Sequence, residues 1–138
     1  MKITRMNAAE FRGMTVQPKR HKYGARKSET GDSALESRRR FELEMLAKQG
    51  VISDLQCQVP FPISINGRSV CTYVADFVYT EGFRLVCEDA KGIRTPDYAL
   101  KAKLFQATYP DYQFAEYRKG EGRVFMRLTP GGQLRKAA

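Results

Sequence analysis

Two β-prone segments that follow one another directly constrain the fold more than any other feature of this sequence. Residues 73–79 and residues 85–91 are rich in apolar and aromatic side chains, and a turn signal that contains Gly82 separates them. Upstream, Asn66-Gly67 lies between two further β-prone segments and is a strong hairpin signal. The pattern therefore predicts a run of antiparallel strands in the middle of the chain.

The segment before these strands predicts a helix. Residues 33–36 read Ser-Ala-Leu-Glu, which is the S-x-x-E pattern of a capping box, and the helix should run to about Lys48. Its apolar stripe is expected to contain Ala34, Leu35, Phe41, Met45 and Leu46. A strand over residues 51–59 should follow, and Pro60 and Pro62 indicate its end.

A second helix is predicted after the central strands. Thr95 suits the N-cap and Pro96 the first helical position, and the helix should run to about Thr108. Two short strands, over residues 114–117 and 124–128, follow with a Gly-rich turn between them. The order of helix, strands, helix and strands predicts an α+β (mixed α/β) fold in which helices cover a central sheet.

The length and the charge distribution predict three regions. A core domain over residues 32–128 is flanked by a basic, weakly structured N-terminal arm, residues 1–31, and by a loose C-terminal tail, residues 129–138. Residues 1–27 carry eight basic side chains and one acidic side chain, in a chain whose net charge is +9. A basic arm on a nearly neutral body favours a polyanionic partner, nucleic acid first; a solvated tail is the alternative.

Nucleic-acid binding is expected to use basic side chains from the arm and from both helices. The candidate residues for phosphate contacts are Lys19, Arg20, Lys22, Arg26 and Lys27 in the arm, Arg38 in the first helix, and Lys101 and Lys103 in the second helix. Tyr98 and Tyr109 are near the last two lysines in sequence and could assist them. A solvated basic face is an equally good interpretation of the second helix.

Composition argues against several classes of protein. Cys57, Cys71 and Cys87 are far apart and His21 is the only histidine, so a structural zinc site of the usual spacing is not expected. An odd number of widely spaced cysteines fits the reducing cytosol. The sequence has no apolar run of membrane-spanning length and no secretory signal, so we expect a cytoplasmic protein with no membrane partner.

Three side chains on the central strands point to a chemical function. Asp76 lies among apolar neighbours, and regular alternation would place it on the opposite face from Ala75 and Phe77. Asp89 and Lys91 form the chain's single acid-x-Lys tripeptide, and their side chains should point the same way. Two carboxylates and a lysine that converge on one face can hold a divalent cation and position a water for phosphodiester hydrolysis.

Simpler interpretations of the same residues remain open. Asp76 could lie at a strand end and face solvent, where its carboxylate needs no partner. Asp89 and Lys91 could form a surface ion pair, which contributes little to stability. The placement of the acid-x-Lys tripeptide at the end of an apolar strand, directly after the strand with Asp76, favours the metal-site interpretation.

A third carboxylate could come from the first helix. Glu36 completes the capping-box pattern, while Glu42 falls within the apolar stripe, and both are candidates for the metal site. Gln58, on the strand before the hairpin, could hydrogen-bond a water at the site, although an ordinary polar strand residue is the simpler interpretation.

Five segments together resemble the PD-(D/E)XK nuclease superfamily, and within it small phage-encoded nucleases related to Holliday-junction resolvases. The segments are Lys22-Tyr23-Gly24-Ala25, Ser33-x-x-Glu36, Gly50-Val51-Ile52-Ser53-Asp54-Leu55-x-x-Gln58, Tyr73-Val74-Ala75-Asp76-Phe77 and Glu88-Asp89-Ala90-Lys91-Gly92. The resemblance covers roughly residues 22–117, with Ala75 in place of the proline of the motif. It implies a restriction-endonuclease-like mixed sheet flanked by helices.

The resemblance also implies roles for the site residues. Asp76 and Asp89 would be metal ligands, Glu36 an auxiliary ligand, and Lys91 the residue that orients water or the scissile phosphate. The implied cofactor is Mg²⁺ or Mn²⁺, and the implied substrate is DNA, which is cut by a metal-activated water.

The first hypothesis is therefore a Mg²⁺-dependent DNA endonuclease that acts on branched or otherwise structured DNA, with a homodimer to cut two strands. If it is phage-encoded, it would act in the host bacterial cytoplasm. A second hypothesis is a non-catalytic DNA-binding protein on the same scaffold, and a third is a host-takeover protein that binds a host protein. The intact set of two acids and a lysine favours the first.

Overall fold

A six-stranded mixed sheet with a helix against each face organises the protein. The computed structural model describes residues 32–137. Within that range the elements are α1 (Asp32–Lys48), β1 (Ser53–Ile65), β2 (Arg68–Glu81), β3 (Arg84–Ala90), α2 (Pro96–Thr108), β4 (Tyr112–Arg118), β5 (Gly122–Leu128) and β6 (Leu134–Lys136). The predicted α+β class, with a central sheet flanked by helices, is confirmed.

The six strands lie in the sheet in chain order, from β1 to β6. Neighbouring strands pair antiparallel except β3 and β4, which pair parallel and are joined by a crossover that contains α2. The β1–β2 hairpin turns at Asn66 and Gly67, whose φ angles of 53° and 76° are the left-handed pair that a type I′ turn requires. The hairpin signal in the sequence is thus confirmed.

Both predicted helices form, and local sequence explains their ends. Gly50, with a φ of 77°, follows α1, and the Val51 N–H donates back to the Leu46 carbonyl at 3.0 Å, as in a Schellman motif. Thr95 is the N-cap of α2, and its hydroxyl accepts a hydrogen bond from the Tyr98 N–H at 3.2 Å. The cap chemistry of the sequence therefore accounts for the end of α1 and the start of α2, whereas α1 begins at Asp32, one residue before the Ser33 that the predicted capping box would place outside the helix.

Two hydrophobic cores lie on opposite faces of the sheet. In the core beneath α2, the ring centroid of Phe105 lies 4.8 Å from that of Phe61 and 5.1 Å from that of Tyr73. In the core beneath α1, Leu43 packs with Phe77. Consecutive residues of β3 enter different cores, so both faces of this strand are covered.

The buried face of α1 differs from the predicted apolar stripe. Phe41 is 65% exposed and Met45 is 39% exposed, whereas Leu35, Arg39 and Leu43 are buried. The three buried residues repeat every four positions and therefore lie on one face of the helix. Two residues of the predicted stripe do face inward, since Leu35 is buried and Leu46 packs against the core beneath α1. The prediction missed Leu43 and Arg39, and it missed Arg39 because it counted apolar residues only.

Arg39 can lie on the buried face of α1 because an acid lies beneath it. Its Nε and Nη2 atoms donate to the two carboxylate oxygens of Glu88 on β3, at 2.6 and 3.0 Å. Glu88 is 0% exposed and accepts a further hydrogen bond from the Tyr79 hydroxyl at 2.7 Å. The Arg39 guanidinium also lies 4.5 Å from the ring centroid of Tyr117. This bidentate ion pair anchors α1 on the sheet.

Strand β1 is longer than the sequence predicts. The prediction ends a strand near Pro60, whereas β1 continues through Pro60 and Pro62, which pair opposite Val74 and Thr72 of β2. The physical reason is the position of β1 at the edge of the sheet, where a proline ring can be accommodated without loss of a ladder hydrogen bond.

The predicted loose tail over residues 129–138 is wrong in one part. Residues Leu134–Lys136 form β6, which pairs antiparallel with β5, and the Leu134 side chain packs against the core beneath α2. Backbone pairing and one buried apolar side chain are the physical reasons that this short segment is ordered as a strand.

The predicted N-terminal arm lies outside the described residues. The phosphate contacts predicted for Lys19, Arg20, Lys22, Arg26 and Lys27 belong to that part of the chain. Neither helix over residues 32–137 combines the length and the apolar character that crossing a membrane requires.

Breaking the buried ion pair from one side should destabilise the protein strongly. Arg39→Met leaves the Glu88 carboxylate buried without its cation, and we expect the free energy of unfolding to fall by about 3–5 kcal/mol. The double variant Arg39→Met/Glu88→Leu removes both charges and should recover most of that loss. Urea unfolding followed by circular dichroism measures both changes.

The matched control is Arg40→Met, at the neighbouring exposed position of α1. It should change the free energy of unfolding by less than about 0.5 kcal/mol. Equal losses for Arg39→Met and Arg40→Met would contradict the anchoring role of the ion pair.

Candidate metal and active site

At Asp76 and Asp89, side-chain carboxylates replace backbone carbonyls as the hydrogen-bond acceptors between β2 and β3. Regular pairing reaches Phe77 opposite Glu88, and the two aspartates fall opposite each other one position further. There the Asp76 N–H donates to Oδ1 of Asp89 at 2.9 Å, and the Ala90 N–H donates to Oδ2 of Asp76 at 3.0 Å. Each carboxylate binds the backbone of the opposite strand, so the structure brings the two predicted acids into one site.

The alternation of side chains along β2 reverses at Asp76. Ala75 packs in the core beneath α2, while Phe77 packs in the core beneath α1. A regular strand would place both residues on one face, so the regular alternation predicted around Asp76 is wrong. Strand β1 makes the same change, because Cys57 packs against the core beneath α1 and Val59 packs in the core beneath α2.

Gln58 lies at the reversal in β1, directly across from Asp76. Strand pairing passes from Cys57 to Val59 without a pair at Gln58. The φ angle of Gln58 is 54°, which is uncommon for a residue with a side chain. Its Nε2 donates to Oε1 of Glu36 at 2.8 Å and to Oδ1 of Asp76 at 3.3 Å. The amide therefore connects α1 to the carboxylate on β2.

Glu36, and not Glu42, approaches the aspartates. The Glu36 carboxylate accepts a hydrogen bond from Gln58 on β1 at 2.8 Å. Glu42 accepts hydrogen bonds from Arg39 at 3.1 Å and from the Tyr117 hydroxyl at 3.2 Å, beside the buried ion pair. Of the two glutamates predicted as a third carboxylate, the structure therefore brings Glu36 to the site.

Asp89 is buried and receives hydrogen bonds from neutral donors. It is 2% exposed, and its Oδ2 accepts a hydrogen bond from the Tyr73 hydroxyl. Burial, and then the charge of Asp76, raises the pKa of Asp89 to about 7, against the opposing effects of its hydrogen bonds and of Lys91. Burial and the charge of Glu36 likewise raise the pKa of Asp76. Carboxylates in this state are stabilised when a cation neutralises them.

Lys91 follows β3 and stays close to both aspartates. Its backbone N–H donates to the Tyr117 carbonyl at 3.0 Å, which continues the alignment of β3 with β4. Its Nζ lies 4.7 Å from the ring centroid of Tyr98, within the range of a cation–π interaction. Its positive charge lowers the pKa of Asp76 and of Asp89, in opposition to burial. The structure thus brings the predicted lysine to the same site.

The oxygen donors at this site suit a hard divalent cation. Mg²⁺ and Mn²⁺ favour carboxylate oxygens, and Mg²⁺ commonly binds one or two carboxylates and keeps water or phosphate oxygens in its other positions. Among residues 32–137, no three His, Cys, Asp or Glu side chains form a ready-made metal cage. The donors fit an open site with two carboxylates, Asp76 and Asp89. Glu36 is connected to this site through the Gln58 amide, which hydrogen-bonds both Glu36 and Asp76.

A basic groove opens beside Lys91. It consists of two adjoining cavities of about 400 and 230 Å³ that share Gly92 and Lys119. Its basic side chains are Arg38, Lys91, Arg94, Arg118 and Lys119. Arg94 and Arg118 form ion pairs with the buried Glu116, and Arg94 is exposed. Arg38 and Lys119 are also exposed but take part in none of the ion pairs within residues 32–137, so they are the side chains best placed to meet an anion.

The predicted phosphate-binding residues on α2 have different surroundings from those expected. Lys101 is exposed and Lys103 is half-buried, but Tyr98 and Tyr109 are buried in the core beneath α2. The prediction that these tyrosines assist the lysines at a phosphate is therefore wrong, because α2 uses its aromatic side chains for packing.

The sequence analysis did not predict Tyr73 at the site, and it favoured an ordinary polar strand residue for Gln58. Tyr73 lies three residues before Asp76, and regular alternation gives no reason to expect its hydroxyl at an aspartate on the next strand. For Gln58 the hairpin signal is not sufficient, because the pairing of Ile65 with Arg68 at the turn would place Gln58 opposite Ala75. A register shift between Ile63 and Ser64 moves Gln58 opposite Asp76.

A family model described as "Protein of unknown function (DUF1064)" matches residues 20–120. The matched region includes Glu36, Gln58, Asp76, Asp89 and Lys91, and so contains the whole of the site. No curated protein and no solved structure matches the chain.

The raised pKa of Asp89 should make the metal-free protein less stable as the pH rises. The folded-state pKa of about 7 lies above the ordinary value for aspartate. Stability from protonated Asp89 is therefore full below about pH 4 and is lost as the pH rises through about 7. Urea unfolding in chelator between about pH 5 and pH 8 measures the decline, which Asp89→Asn should reduce.

The control for this measurement is Asp111→Asn, at an exposed aspartate before β4. It should keep the pH dependence of the parent protein. If Asp89→Asn declined in stability as steeply as Asp111→Asn over the same pH range, the raised pKa would be refuted.

Proposed function

This chain belongs to the family described as "Protein of unknown function (DUF1064)", and we propose that it is a metal-dependent DNA endonuclease. One observation supports this function most. Asp76 and Asp89 each hydrogen-bond the backbone of the other strand, and the charge of Lys91, two residues after Asp89, lowers the pKa of both. Two carboxylates and a lysine at the end of a buried strand are the residue types that metal-assisted phosphodiester hydrolysis uses.

The proposed roles follow from the surroundings of each residue. Asp76 and Asp89 would hold Mg²⁺ or Mn²⁺ through carboxylate oxygens, and the bound cation would supply an activated water and Lewis-acid assistance at phosphorus. Lys91, which lies over the ring of Tyr98, can stabilise negative charge that develops on the scissile phosphate. Glu36 would act as the auxiliary carboxylate and, through Gln58, orient Asp76.

DNA is the substrate that the charge distribution supports. Lys91 lines the basic groove, so backbone phosphates that lie along it would pass this lysine, two residues after Asp89. The resemblance to phage nucleases related to Holliday-junction resolvases extends the proposal to branched DNA and to a homodimer that cuts both strands. It also extends the proposal to the host bacterial cytoplasm as the site of action.

A second candidate function is DNA binding without cleavage. One observation favours it: both oxygens of Asp89 accept hydrogen bonds within the fold, from the Tyr73 hydroxyl and from the Asp76 N–H. On this alternative the carboxylates would only tie β2 to β3. DNA binding that is insensitive to chelator, together with no cleavage of any substrate, would favour this function, and capture of a host protein after nuclease treatment would favour a host-takeover role.

Asp89→Asn should abolish cleavage without unfolding the protein. The asparagine keeps the size and one oxygen acceptor of the aspartate, and a neutral side chain suits a position where burial already disfavours charge. We expect the rate of cleavage of linear, flap and four-way DNA with Mg²⁺ to fall by at least about 100-fold. The affinity for the same DNA in chelator should stay close to that of the parent protein.

The control for catalysis is Asp97→Asn, at an exposed aspartate in the first turn of α2. It should cut DNA at the parent rate. Full cleavage by Asp89→Asn would rule out the proposed metal role of this residue, and no cleavage by the parent protein on any of the three substrates would rule out the nuclease.

The basic groove should contribute to DNA affinity in a salt-dependent way. Arg38→Ala/Lys119→Ala removes the two exposed cations of the groove that are not paired with Glu116, and we expect binding in chelator to weaken by about 10-fold or more at low salt. The slope of log K against log salt should become shallower by about 1 for each phosphate contact that is lost. Fluorescence anisotropy with a labelled four-way DNA measures both quantities.

The matched comparison is Lys101→Ala/Lys103→Ala, which removes the same charge from α2. If Lys101→Ala/Lys103→Ala weakened DNA binding more than Arg38→Ala/Lys119→Ala does, the DNA-binding surface would lie on α2 and not at the groove. Equal salt slopes for the groove double variant and the parent protein would also contradict a role for the groove.

A further inference from the structure

Gln58 occupies the space between two carboxylates on different elements. Its amide lies within hydrogen-bonding distance of Glu36 on α1 and of Asp76 on β2, at 2.8 and 3.3 Å. One N–H₂ group that serves two carboxylates partly neutralises them, as a cation at that point would. The position taken by the amide is therefore one where a positive charge is favourable.

The backbone holds Gln58 in this position at a cost. Its φ of 54° places a β-strand residue in the left-handed region, which glutamine rarely adopts. The adjacent residues prevent relaxation, because Cys57 packs against the core beneath α1 and Val59 packs in the core beneath α2. Strain that the surrounding structure maintains in this way is typical of ligand-binding positions.

The chemistry of the amide allows two uses of the same position. Rotation of the terminal amide by half a turn exchanges Nε2 for Oε1 with little movement of the rest of the side chain. The nitrogen can donate to the carboxylates of Glu36 and Asp76, and the oxygen can bind a hard cation, which amide carbonyls ligate as carboxylates do. The side chain can therefore serve the protein with and without metal.

We propose that Gln58 is a ligand for the divalent cation, through Oε1, in addition to Asp76 and Asp89. The inference rests on the proposed function, since it adds a neutral oxygen to the same Mg²⁺ or Mn²⁺ site. Without metal, the amide N–H₂ group bridges Glu36 and Asp76. With a cation bound, Oε1 of Gln58 would face the metal, and Glu36 would lose its hydrogen bond from the amide.

The sign of the effect on metal affinity tests this inference. Mn²⁺ alone is titrated into the full chain and followed by calorimetry, with no DNA present. Gln58→Leu removes both amide atoms at similar size, and the affinity should fall by about 10-fold or more. Gln58→Glu offers oxygen at both positions and should bind Mn²⁺ at least as tightly as the parent protein.

The opposite sign would overturn the proposal. If the amide served only as a hydrogen-bond donor that competes with the cation, Gln58→Leu would bind Mn²⁺ as tightly as the parent protein or more tightly. Gln113→Leu, at an exposed glutamine on β4, is the matched control and should leave the affinity unchanged.

Two further measurements guard against misfolding and against an indirect effect. Gln58→Gly suits the positive φ, so it should unfold no more easily than the parent protein and yet bind Mn²⁺ more weakly. The side-chain amide ¹⁵N–¹H₂ signal of Gln58 should shift when Mg²⁺ is added, and an unchanged signal at saturation would count against ligation.

Failure of this inference is distinguishable from failure of the proposed function. A parent protein that binds no Mn²⁺ and cuts no DNA would refute the metal site as a whole. A parent protein that binds Mn²⁺ and cuts DNA, with Gln58→Leu equal to it in Mn²⁺ affinity, would refute the role of Gln58 alone.

Discussion

The ion pair between Arg39 and Glu88 is the interaction on which the rest of the structure depends. It joins α1 to β3 through two hydrogen bonds in a site closed to solvent, where a single charge would be strongly unfavourable. Glu36 lies one helical turn before Arg39, and Asp89 follows Glu88 directly. The contact that fixes the helix on the sheet therefore also fixes the separation of two residues of the proposed site.

Glu88 and Asp89 show how two adjacent buried acids can have different roles. Glu88 faces α1 and is neutralised by a bidentate arginine, so its charge is satisfied within the fold. Asp89 faces the other side of the sheet and receives hydrogen bonds from a tyrosine and a backbone N–H. Of these two acids, Asp89 is the one without an ion-paired arginine, and this is the physical basis for proposing that it binds a cation.

Local chemistry made much of the fold predictable. The Asn66-Gly67 turn and the Thr95-Pro96 cap depend on neighbouring residues only, so the sequence was sufficient to locate the hairpin and α2. The assembly of Asp76, Asp89 and Lys91 followed from strand order and spacing. The buried face of α1 did not follow, because Arg39 is buried by a partner 49 positions away in the sequence.

The reversal at Asp76 could not be predicted from period-two alternation. It requires β1 and β2 to change faces together. Gln58 lies opposite Asp76 because the register shifts between Ile63 and Ser64, and the Asn66-Gly67 turn does not specify that shift. For the same reason the hydrogen bond from Tyr73 to Asp89 could not be predicted. A regular pattern describes most of the sheet, and the proposed site lies at the position where that pattern fails.

The two prolines of β1 have a consequence for self-association. Pro60 and Pro62 have the same parity along the edge strand, so they remove successive amide donors from one side of it. A second sheet approaching this margin would find no continuous row of hydrogen-bonding groups to extend. The opposite margin is a strand of three residues. Neither border of the sheet therefore offers a long row of free backbone donors and acceptors on which further copies could stack into fibres.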